Sequence, residues 1–66
     1  MEIFLNGNSQ QVEDGLNIAL FIKQLDLENK RLAVEINLEI VPRSQFDSHI
    51  LSAGDRVEIV RAIGGG

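Results

Sequence analysis

The sequence predicts one small two-layer α+β domain over residues 1–63, a mixed sheet of four to five strands packed on one main helix, with a glycine tail at 64–66. Three observations predict it. At 66 residues the chain has room for a single domain. Only one stretch, Ile18 to Leu25, repeats apolar residues at helical spacing. The segments around it read in order as hairpin, strand pair and final strand, and the economical way to bury one amphipathic helix among them is to wrap the strands around it.

Each element has its own signal. Glu2-Ile3-Phe4-Leu5 is apolar and β-prone, and Asn6-Gly7 follows directly; Asn-Gly favours a type I′ hairpin because both residues tolerate positive φ. Ser9 to Glu13 is the returning strand, polar except for Val12, as suits an edge that should not recruit other chains. After Asp14-Gly15, Asn17 is placed to cap a helix, with Leu16 and Phe21 at the positions of a hydrophobic staple. Ile18, Phe21, Ile22 and Leu25 fall on one stripe, and Asn29 is the expected left-handed C-cap, with Lys30 and Arg31 near the negative helix end. Ala33 to Asn37 returns to period two, Asn37-Leu38-Glu39 reads as a tight turn, and Ile40-Val41 is a short strand stopped by Pro42. Ser44 to Asp47 fits the short Ser-x-x-Asp cap of a helical turn carrying Phe46. Ala53-Gly54-Asp55 turns the chain into a last strand, Arg56 to Ile63.

Composition narrows the function. The chain has no cysteine and one histidine, so neither a disulfide nor a typical zinc site is available to staple a fold this small. Such a domain buries about 60% of its unfolded surface, which leaves little room for an enclosed catalytic pocket. Its net charge of −4 and six scattered Lys and Arg argue against nucleic acid and for basic protein surfaces as partners. No apolar run approaches the ~20 residues of a membrane span and no signal segment opens the chain, so a cytoplasmic location without membrane attachment is expected. No catalytic constellation is found. Glu13-Asp14 reads as a solvated turn pair, His49 has no second ligand and no nucleophile to activate, and Arg43 is expected to support its turn.

The order hairpin, helix, strand pair, strand is that of the β-grasp. On the Asn6 turn, Leu25-Asp26, Ile36-Asn37, Ile40-Val41-Pro42-Arg43, Gly54-Asp55 and the terminal Gly65-Gly66, the chain resembles, from Met1 to Gly66, the sulfur carriers of thiamin biosynthesis (the ThiS family), relatives of ubiquitin. The resemblance implies that the chain is no enzyme. It implies instead that the Gly66 carboxylate is adenylated by an ATP-dependent, ubiquitin-activating-like adenylyltransferase and converted to a thiocarboxylate with sulfur from a persulfide donor protein. A thiazole synthase then takes the sulfur. The chain itself would bind no cofactor; ATP and Mg are used by the activating partner. Gly65 and Gly64 form the tail that enters the partner's channel, although the mechanism has no evident need of the third glycine.

The chemistry suits such a tail. A carboxylate is ionised at neutral pH and resists nucleophiles until it becomes a mixed anhydride. Three extended residues reach roughly 10 Å, and glycines thread narrow channels and adopt angles denied to other residues. A carrier without cysteine has no side-chain thiol on which to hold sulfur. Phe4, Val60 and Ala62 are expected on the outer sheet face as an apolar docking patch, with Arg61 before the tail facing an acidic groove of the partner. Three other readings compete. They are a molybdopterin-type sulfur carrier, a ubiquitin-like modifier conjugated through Gly66, and a non-covalent β-grasp module with an inert tail.

Overall fold

The computed structural model describes residues 1–61. Five strands form one sheet: β1 (Glu2–Leu5), β2 (Asn8–Gln11), β3 (Leu32–Ile36), β4 (Glu39–Val41) and β5 (Arg56–Arg61), in the spatial order β2-β1-β5-β3-β4. Helix α1 (Ile18–Gln24) and a 3-10 turn (Arg43–Gln45) complete the described elements. β1 and β5 run parallel at the sheet centre, while β1–β2, β3–β5 and β3–β4 are antiparallel. This is the expected mixed sheet on one helix. The expected boundary between domain and tail lies outside the described residues.

The alternation read from sequence sorts the strands' faces. Ile3, Val34, Ile36, Val41, Val57 and Ile59 point inward and are buried, and from α1 Ile18, Phe21 and Ile22 meet them. Leu16 and Leu51 close the core, while Leu5, Leu25 and Phe46 pack half-buried against it. Burying a side chain of this size is worth about 1.5–3 kcal/mol, and no polar or charged residue described is buried among them. The outer face is mostly polar, as a solvated face of such a sheet should be. Both edges are blunted: β2 is polar, and β4 is three residues long and stopped by Pro42. No described helix is long and apolar enough to cross a membrane.

The ends of α1 show where local chemistry and expectation agree or part. Asn17 caps the helix as expected, its side chain accepting from Leu20 N at 2.7 Å, with the staple pair Leu16 and Phe21 both buried. The C-terminal end differs, because Asp26 and not Asn29 takes the left-handed position, with φ 61°. Asp26 N donates to the Lys23 carbonyl and Leu27 N to the Ile22 carbonyl, both at 3.0 Å, which is the Schellman arrangement. Leu27 beyond the cap is half-buried against the core, so apolar burial selects the earlier stop. A second correction concerns Ser44. The 3-10 turn is capped by Pro42 without a side-chain bond, and Gln45 N donates to the Pro42 carbonyl at 2.9 Å. Pro42 ends β4 in an extended conformation and the turn begins at Arg43, one residue before Ser44. Smaller shifts affect β2, which spans Asn8–Gln11, and β3, which starts at Leu32 and releases Asn37 to the turn. Ile63, the expected end of β5, lies outside the described residues.

Two turns use left-handed backbone. At Asn6-Gly7 the φ values are 48° and 87°, as a type I′ turn requires. At Asn37-Leu38 they are 52° and 71°, so leucine occupies a position that ordinarily favours glycine. A left-handed angle costs an L-residue about 1–2 kcal/mol, and Leu38 recovers little by packing, being 85% exposed. Leu38→Gly should therefore raise stability by about 0.5–1 kcal/mol after the entropy cost of glycine. Urea unfolding monitored by circular dichroism checks this, and an unchanged or lowered midpoint would contradict it.

Candidate functional site

The strand that leads to the glycine tail is the best-held strand of the sheet. β5 pairs with β1 through Phe4 and Leu5, opposite Arg56 and Val57, and with β3 from Val57 opposite Ile36 to Arg61 opposite Leu32. β1 is short, however, and the backbone turns away at Asn6. The side chain of Asn6 then takes over the ladder. Asn6 N donates to the Val57 carbonyl at 2.9 Å, its Oδ1 accepts from Ile59 N at 3.0 Å, and its Nδ2 donates to the Ile59 carbonyl at 3.2 Å. A carboxamide carries the same donor and acceptor as a peptide unit, so one side chain satisfies both backbone groups of Ile59.

Asn37 does the same from the other flank, nearer the start of β5. Its backbone N donates to the Arg56 carbonyl at 2.8 Å, and its Oδ1 accepts from Arg56 N at 3.0 Å. Its Nδ2 donates to Asp55 Oδ1 at 3.1 Å, and the other Asp55 oxygen accepts from Ser52 N at 2.8 Å. Both asparagines occupy the first left-handed place of a I′ turn, which Asn tolerates better than most residues. The sequence marks both as turn residues and does not announce their second task. The only available signal was that asparagine, rather than another turn former, stands at both places.

The residues expected to meet a partner are placed as follows. Gly64, Gly65, Gly66 and Ala62 lie outside the described residues. Arg61 is exposed at the end of β5. Phe4 and Val60 both face outward, but the register holds them apart, since Phe4 is opposite Arg56 and Val60 is opposite Ala33, with Glu58 between. Phe4 is half-buried, and the Arg56 guanidinium lies 5.4 Å from its ring centroid, a cation–π contact. Val60 is 59% exposed. Glu58 stands directly opposite Glu35, so among the described residues the expected apolar patch is interrupted by charge. Arg43 makes no described side-chain bond to its turn and lines a groove beside α1 instead. His49 is half-buried, and its backbone carbonyl accepts from Ile18 N at 3.1 Å. Glu13 and Asp14 are exposed, Glu13 accepting from Gln24 and Asp14 facing the N-terminal ammonium at 3.5 Å.

A five-stranded mixed sheet grasping one helix, with its last described strand central and followed in sequence by glycines, defines a β-grasp protein of the ubiquitin-like kind. Residues 3–66 match the ThiS family, so the chain belongs to that family, the sulfur carriers of thiamin biosynthesis. The sulfur carrier protein ThiS of Escherichia coli is 35% identical over 66 residues, covering the whole of both chains. The crystal structure of the thiamine biosynthesis protein ThiS from Geobacter metallireducens superposes with a TM-score of 0.87 at 30% identity, again over the whole of both. A thiazole synthase of Paramagnetospirillum magneticum is also 35% identical across all of this chain, which spans 20% of that protein's length.

The clasp is testable by itself. Asn6→Gly keeps the left-handed turn but removes both side-chain bonds to Ile59, and should cost about 2 kcal/mol at roughly 1 kcal/mol per bond. For a domain this size that lowers the melting temperature by about 8–16 °C. A fall of less than a few degrees in a thermal melt would show that water replaces the amide.

Proposed function

We propose that the chain carries sulfur as a C-terminal thiocarboxylate for assembly of the thiamin thiazole, and that Gly66 is the reacting residue. The observation that carries this reading is the end-to-end correspondence with the E. coli sulfur carrier, neither chain leaving a segment uncovered. The clasped β5 supports it mechanically, because a reactive end is useful only if the body behind it is firm.

In this reading an oxygen of the Gly66 carboxylate attacks the α-phosphorus of ATP in an adenylating enzyme and pyrophosphate leaves. A persulfide sulfur then attacks the acyl carbon and AMP leaves. Cleavage of the resulting sulfur–sulfur bond by a second thiol supplies the electron pair that leaves a thiocarboxylate on Gly66. This chain contributes no side chain to those steps and acts as co-substrate. Glycine at the reacting position leaves the acyl carbon unhindered, and Gly64-Gly65 thread the channel without a Cβ. A thiazole synthase is the proposed acceptor, supported by the thiazole synthase whose sequence includes a stretch like this chain.

Incubation with MgATP, the adenylating enzyme and a persulfide donor should exchange one oxygen of the intact chain for sulfur, read by mass spectrometry, and deletion of Gly65-Gly66 should abolish the exchange. An unchanged mass with an enzyme shown to be active on another carrier would refute the proposal.

A further inference from the structure

The cationic groups of this acidic chain are unevenly placed. Between α1 and the turn after β4 lies an open groove of about 350 Å³. Its apolar lining includes Leu20, off the core stripe of α1 and 50% exposed, with Phe46 and Leu32 half-buried beside it. Lys23, Lys30 and Arg43 stand around it, half of the six Lys and Arg in a chain of net charge −4. Glu28 and Asp47 are the carboxylates among the same lining residues. Arg31 precedes Leu32, and Arg61 lies directly opposite Leu32. Only Arg56 stands at the other end of β5.

These five cations are exposed, and among the described residues the one ion pair is between the N-terminus and Asp14. Among the described residues no carboxylate therefore neutralises them within pairing distance. Concentrating like charge raises self-repulsion unless an opposite charge comes from outside. The groove also adjoins the described end of β5, since its lining residue Leu32 pairs with Arg61. Its volume is at the small end for a ligand site and accommodates a side chain or two.

We propose that this groove seats an acidic segment of the adenylating enzyme, an aromatic or aliphatic side chain entering beside Leu20 and Phe46 while flanking Asp or Glu carboxylates meet Lys23, Lys30 and Arg43. The inference rests on the function proposed above and adds to it a second grip, on the body, beside the grip on the tail. Charge pairs at such a rim govern encounter and salt dependence more than chemistry.

The test is steady-state adenylation of the full chain by its adenylating enzyme, followed as pyrophosphate release. Lys30→Glu/Arg43→Glu should raise KM at least about tenfold and leave kcat unchanged, the mark of lost binding that is uniform through the reaction. Leu20→Ser should raise KM by a smaller factor, Arg43→Lys should restore most of it, and the wild-type KM should rise with salt. Gln11→Glu, a charge change on the far edge strand, should leave KM as it was. Thermal melts confirm that the exposed substitutions leave the fold intact. A KM for the double variant within about twofold of wild type, with adenylation still proceeding, overturns the groove and spares the carrier function. A KM that falls shows that the groove holds the chain's own terminal carboxylate, and overturns the proposal equally. If the unaltered chain is not adenylated at all, the function falls and the groove with it.

Discussion

Two side-chain amides hold the central strand where backbone pairing gives out. Parallel β1 can accompany β5 only briefly before its hairpin turns back, and β3 leaves at its own turn just past Val57. At each departure the chain places an asparagine whose carboxamide mimics the peptide it replaces: Asn6 toward Ile59, Asn37 toward Arg56. Without the first, two backbone groups of a buried residue would lose their protein partner, at about 1 kcal/mol each. In a domain whose total stability is only a few kcal/mol, that is a large share.

This arrangement separates two requirements that conflict. In the carrier role proposed above, a terminus that enters another protein's channel benefits from glycine, which accepts backbone angles denied to other residues. A body that must be recognised benefits from rigidity. Asn6 binds β5 two residues before Arg61, so on the described side of the boundary the strand is held by β3, by the asparagine and by the buried Val57 and Ile59. Among the described residues the core carries no buried polar residue, which leaves the inward face committed to packing.

What was legible in the sequence was whatever depends on neighbours along the chain. The Asn6-Gly7 turn, the Asn17 cap with its staple, the helix stripe and the alternation of Val57 and Ile59 all declare themselves within a few residues, and the β-grasp order follows from their sequence. The misses have particular causes. Asn29 and Asp26 are both able to cap a helix, and only the burial of Leu27 decides between them. Ser44 resembles a cap in a segment whose entry Pro42 governs. The amide clasp spans from Asn6 to Ile59, and no local pattern encodes it. The cationic groove gathers Lys23, Lys30 and Arg43 from three separate segments, each of which reads alone as an ordinary solvated charge.

The central position of β5 also bears on how the protein is made. Synthesis produces the β1–β2 and β3–β4 hairpins first, and until β5 arrives they have no common neighbour within the sheet, because neither hairpin bonds to the other in it. Such isolated two-stranded units are marginal in water. The keystone strand is thus the last described element to leave the ribosome, and a product interrupted before β5 lacks Val57 and Ile59 of the core.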